Sequence, residues 1–211
     1  MSGEKKGLKV VRISSVVISV LFHPAFLPVY GLLILFNAPT FIYYIPGSIK
    51  RVIFMLATVN MTVVPLALLP LLRYRNVITS YSVDNRVERI IPLGIGSMMY
   101  IITTFIFYSY QIPVIIKSFM LGSSITSILV LILTFRWKVS IHSAGAGGLL
   151  GFVMALSIRL NTDLISIWIT LMVICGLVMS SRLILRSHNP GQVYSGFILG
   201  FLSFFVTLLL S

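Results

Sequence analysis

Apolar residues run along this chain in seven long blocks, not in the short alternation of strands or the one-sided stripe of a soluble helix. The blocks cover residues 13–36, 52–72, 92–110, 114–135, 143–160, 164–185 and 193–210. Each approaches the ~20 mostly apolar residues that carry a helix across a hydrocarbon core about 30 Å thick. Polar residues gather in the short connections, so successive blocks should pack as antiparallel neighbours. The predicted fold is an all-α integral membrane protein, a bundle of six to seven transmembrane helices. The range comes from the first block, which holds His23-Pro24 and Pro28 in its middle. Proline removes a backbone donor and clashes with the preceding turn, so this block is expected to be kinked or re-entrant.

Composition agrees with the pattern. Of 211 residues, 58% are hydrophobic and 9% charged, where a soluble domain carries about 25% charged residues. A single membrane domain, residues 13–211, is expected after a basic segment, 1–12, that resembles a signal anchor more than a cleaved signal peptide. Cys175 has no second cysteine to pair with, which excludes an intrachain disulfide. Gly147-x-x-x-Gly151 and Gly196-x-x-x-Gly200 are spaced for close helix contact, the usual source of association between helices in lipid.

Charge narrows the partners. The net charge of +12 sets 16 Lys and Arg against Glu4, Asp84, Glu88 and Asp163. These cations lie between apolar blocks, where they suit a membrane rim, membrane lipids and phosphate-bearing head groups; nucleic acid is not expected. With seven spans, the N-terminus and the loops after the second, fourth and sixth blocks share one side, and only Lys50, Arg51, Lys117 and Arg159 lie opposite. The positive-inside rule then puts the crowded side in the cytoplasm, at the plasma (inner) membrane.

Three polar groups stand at block ends: Asp84 to Pro92, Lys138 to His142, and Ser181-Arg182 followed by His188 and Gln192. Two histidines, several fixed cations and few carboxylates suit an anion. Arg86, Arg89, Lys138 and Arg182 could surround a phosphate through charge-assisted hydrogen bonds, and Ser140 could add a hydroxyl. His142 stands where a helix should begin, and a helix N-terminus attracts anions. A divalent-metal site is disfavoured, since only Asp84 and Glu88 lie together. No cofactor is expected. His23, a lone histidine beside a proline, stays outside the predicted site.

These residues resemble the type 2 phosphatidic acid phosphatase superfamily, over about residues 84–200. Its third motif, Ser-Arg, five residues, His, three residues, Asp, is similar to Ser181-Arg182, His188 and Gln192, with glutamine in place of aspartate. Its second motif, Pro-Ser-Gly-His, is matched in part by Val139-Ser140-Ile141-His142, and its first only loosely by Arg86, Arg89 and Pro92. The resemblance implies a metal-independent hydrolase of lipid phosphates that works through a phosphohistidine. His188 would be the nucleophile, His142 the general acid, and Arg86 or Arg89, Lys138, Ser140 and Arg182 the phosphate ligands. Gln192 would take the place of the aspartate that orients the nucleophile. The alternative expectation is an inactive relative that binds or moves a phospholipid through the same pocket.

Overall fold

The computed structural model describes residues 2–81, 83 and 85–211, and from residue 7 onward their side chains. Asp84 lies outside the described residues. The described chain is helical, with α1 at Ser2–Leu21, α2 at Leu27–Asn37, α3 at Gly47–Thr58, α4 at Val64–Tyr74, α5 at Ile90–Ser109, α6 at Val114–Thr134, α7 at Ile141–Leu160, α8 at Ile165–Ile184 and α9 at Pro190–Leu210. Among the described residues, seven helical runs are long and apolar enough to cross a membrane, with α1–α2 forming one and α3–α4 another. The expected multi-pass all-α bundle is therefore what the chain forms. Helix α1 starts at Ser2, so the basic segment is helical and runs into the first span without a break.

Both composite spans break where proline dictates. Helix α1 ends at Leu21, a 3-10 turn runs from Pro24 to Phe26, and α2 carries Pro28 in its first turn, where a missing N–H costs nothing. Between α3 and α4 a π-helical turn, Val59–Val63, precedes Pro65. The two breaks lie side by side: Thr62 in the π turn donates its hydroxyl to the Ala25 carbonyl in the 3-10 turn at 2.6 Å. A backbone acceptor freed at one break is thus satisfied by a side chain from the other, as lipid requires.

Glycines set the closest helix contact. A Cβ on Gly147 or Gly151 of α7 would stand 2.2 or 2.3 Å from the carbonyl oxygens of Phe197 and Phe201 on α9. A Cβ on Gly196 or Gly200 of α9 would meet the carbonyls of Ser140 and Ala144 on α7 at 2.5 and 1.8 Å. Each motif makes the close helix contact that its spacing predicts, and the structure pairs the two, so that the backbones of α7 and α9 touch. Around this seam Phe119, Phe152 and Phe204 pack edge-on or tilted, with ring centroids 4.8–6.2 Å apart. The seam matters for function because it brings together the N-termini of α7 and α9.

Candidate anion site at the helix ends

At the end of the seam, the Ser140 N–H donates to the Gln192 carbonyl at 3.0 Å, tying the start of α7 to the first turn of α9. Ser140 caps α7, its hydroxyl accepting from the Ser143 N–H at 3.3 Å and the Ser143 hydroxyl at 2.9 Å. With both lone pairs so engaged, the Ser140 O–H is left as a donor. Asn189 and Gln192 form a capping box on α9: the Asn189 side chain accepts from the Gln192 N–H at 2.9 Å, and Gln192 Oε1 accepts from the Asn189 N–H at 3.3 Å. Two helices of 20 and 21 residues thus direct their positive ends at one place.

His188 sits there, 6% exposed. Its Nδ1 lies 3.2 Å from Gln192 Oε1 and 3.2 Å from the Lys138 carbonyl. Both are acceptors, and the capping box fixes the amide orientation of Gln192, so Nδ1 carries the proton. Nε2 then holds the lone pair, and this atom is buried with no hydrogen-bond partner. Burial, followed by the charges of Arg89 and Arg182, brings the His188 pKa down to about 4, against the hydrogen bond that the ring donates to Gln192 and with a smaller push from Lys138. The ring is therefore neutral at physiological pH. A neutral imidazole with a fixed tautomer and an unengaged Nε2 has the properties of a nucleophile.

The cations come from two connections and the last turn of α8. Arg89 is 6% exposed and donates from Nε to the Val83 carbonyl at 2.8 Å and from Nη1 to the Val139 carbonyl at 3.4 Å. Arg182, 8% exposed at the end of α8, donates from Nη1 to the Ser19 hydroxyl at 3.2 Å. Lys138 donates to the Ser187 carbonyl at 3.2 Å. The polar groups before α5, before α7 and after α8, separate in sequence, thus meet at one end of the bundle. Arg86 is turned elsewhere: its Nη1 donates to the Phe135 carbonyl, so it braces the α6–α7 connection. Glu88 accepts from the N–H and hydroxyl of Thr79 at 2.8–3.1 Å, and it is not the carboxylate that orients His188.

His142, in the first turn of α7, lies 3.1 Å through Nε2 from the carbonyl of Ser19. The partner is an acceptor, so Nε2 is the protonated nitrogen and Nδ1 holds the lone pair. The Ser19 carbonyl is available because of the break in α1: the His23 N–H bonds to Val20, at 3.2 Å, in place of the i−4 carbonyl of Ser19. The Ser19 hydroxyl meets Ser181 at 3.2 Å. The ring of His23 stands edge-on to that of His142 with centroids 5.5 Å apart. Sequence reasoning places the first span outside the site and sets His23 aside, yet α1 contributes Ser19, and the break after it His23, to its wall. The one signal for this was His23-Pro24 in the middle of an apolar block.

No hydrogen bond joins the two catalytic candidates directly among the described residues. Ser19 links Arg182 to His142, its hydroxyl accepting from the guanidinium and its carbonyl from the ring. His142, His23 and Arg89 also line a cavity of about 230 Å³ that runs inward among α2, α4, α5 and α6. Ile141, next in sequence to Ser140, also lines it, whereas His188, Arg182, Lys138 and Gln192 do not. Among the described residues no three His, Cys, Asp or Glu gather as a metal-binding group. No family model, curated protein or solved structure matches this chain. The site therefore has to be interpreted from its own chemistry.

Proposed function

We propose that this chain is a metal-independent phosphatase of lipid phosphates that acts through a phosphohistidine at His188. The observation that carries this reading is the state of His188: neutral, held by two acceptors on Nδ1, with a lone pair on a buried, unpartnered Nε2 among Arg89, Arg182 and Lys138. In the first step the Nε2 lone pair attacks phosphorus and the P–O bond to the lipid breaks. The leaving alkoxide takes a proton from Nδ1 of protonated His142, whose Nε2–H remains on the Ser19 carbonyl in both states. In the second step water gives a proton back to His142 Nδ1 and attacks phosphorus. The P–N bond breaks, phosphate leaves, and the lone pair returns to His188. Preplaced guanidinium groups and helix N-termini meet the charge that develops on the transferred group.

Gln192 fills the role of a carboxylate only in part, because it fixes the tautomer without adding charge. That favours a second reading, a relative that binds or moves a phospholipid without hydrolysing it. The basic connections around the site suit the cytoplasmic face of the plasma (inner) membrane. Phosphate release from lysophosphatidate and phosphatidate by purified protein in detergent, with EDTA present, tests the enzyme reading. Activity without metal, and an acid-labile labelled protein, are expected. Absence of hydrolysis, or a Mg²⁺ requirement, would sink it.

A further inference from the structure

Gly96 has no packing reason to be glycine. A Cβ built on it meets nothing within 4 Å, whereas those on Gly147, Gly151, Gly196 and Gly200 would strike backbone carbonyls. Glycine inside a helix costs about 1 kcal/mol relative to alanine. Gly96 lines the cavity that opens beside Arg89 and His142, and what its missing side chain preserves is that space.

We propose that this cavity seats the single apolar chain of a lipid phosphate whose head group lies at Arg89, which deepens the lipid-phosphate reading above. Three observations converge on one chain. The cavity has a charged end and an apolar body: Arg89, His23 and His142 line it together with Leu66, Phe119 and Phe204. It is deep and narrow. Tyr100 and Leu149, which also line it, lie 11 residues along α5 from Arg89 and seven along α7 from His142, or about 10–16 Å at 1.5 Å per residue. At about 230 Å³ it falls below the roughly 300–1,000 Å³ of ordinary small-molecule pockets. A second, more apolar cavity of about 410 Å³ between α2, α7 and α8 shares only Leu27 and Leu149 with it and none of its charged residues. The charged end therefore serves one apolar seat. The Ser97 hydroxyl, 4% exposed and without a partner, also lines the cavity about 12 Å along α5 from Arg89 and offers a donor to an oxygen partway along the chain.

The test uses the full chain in detergent and two non-hydrolysable probes, decylphosphonate and methylphosphonate, so that binding is read apart from turnover. Wild type should bind decylphosphonate more tightly than methylphosphonate and more tightly than a diacyl phosphonate. Gly96→Ala, Gly96→Val and Gly96→Leu should erode the preference for the decyl chain step by step, reaching about tenfold for leucine, the loss expected when about two methylenes are excluded. Gly94→Leu, on the same helix with open space around it and outside the cavity lining, should leave the preference intact. An unchanged decyl preference across the Gly96 series, or tighter binding of the diacyl probe, would overturn the proposal. Loss of the preference in a protein that hydrolyses no phosphate ester would uphold the chain seat and retire the phosphatase reading alone.

Discussion

His188 Nδ1 stands 3.2 Å from Oε1 of Gln192, one helical turn along the chain, and the same oxygen accepts the Asn189 N–H. One amide oxygen thus caps α9 and sets the tautomer of the candidate nucleophile. The Lys138 carbonyl, also at 3.2 Å, shares the work. The arrangement shows how a neutral side chain fixes the tautomer of His188 without adding charge.

Restoring the charge should shift the pH profile. Gln192→Glu adds a carboxylate beside Nδ1 and raises the His188 pKa from about 4. The nucleophile must be neutral, so the acid limb of kcat/KM should move to higher pH in the variant. Stabilisation of the imidazolium-like intermediate should raise the rate of phosphoenzyme formation at pH 8. A pH–rate profile with an aryl phosphate checks both, and an acid limb unchanged by the substitution would argue against His188 as the group that titrates.

Stability should depend on pH through the same ring. The folded pKa of about 4 lies below the ordinary histidine value of 6.5, so between these values the unfolded chain binds more protons. The contribution to stability is complete above about pH 6.5 and is lost as pH falls towards about 4. His188→Asn should flatten the thermal-stability curve in that window. A wild-type slope that survives in His188→Asn would assign the proton uptake to another group.

Much of this architecture was legible in the sequence. Runs of about 20 apolar residues report spans directly, because lipid demands a helix that satisfies its own backbone. The Gly147–Gly151 and Gly196–Gly200 spacings report close contact because only glycine admits a carbonyl at the distances found. The meeting of the groups around Arg89, Lys138 and His188 followed from loop parity. Ser19 was not legible: it acts through a backbone carbonyl, released by a helix break and used more than a hundred residues later. Nor was the orientation of Arg86, since nothing in a sequence says which of two nearby arginines turns to the Phe135 carbonyl.

The glycine seam can be tested against an open glycine. A Cβ on Gly200 would lie 1.8 Å from the Ala144 carbonyl oxygen, and backbone has to move to admit it. Gly200→Ala should destabilise by about 3 kcal/mol, the upper range for overpacking. Gly176→Ala in α8, where nothing lies within 4 Å, should be neutral or stabilise by up to about 1 kcal/mol. Thermal unfolding in detergent compares them. Equal effects would mean that the α7–α9 contact is looser than described.

The break at Pro24 should govern His142 from a distance. Pro24→Ala lets α1 continue, and a continuous helix would return the Ser19 carbonyl to the His23 N–H, taking it from His142 Nε2. His142 would lose its fixed tautomer while His188 kept both acceptors. The predicted defect therefore depends on the leaving group: severe for alkyl phosphates, whose alkoxide needs a proton, and mild for an aryl phosphate whose oxyanion does not. His142→Ala should show the same selectivity, and combining the two substitutions should add little, since both remove one function. His188→Ala should instead abolish the phosphoenzyme with either substrate. If Pro24→Ala slows alkyl and aryl phosphates equally, its effect is on folding or on the head-group site; if His188→Ala still forms an acid-labile phosphoenzyme, the nucleophile is another residue.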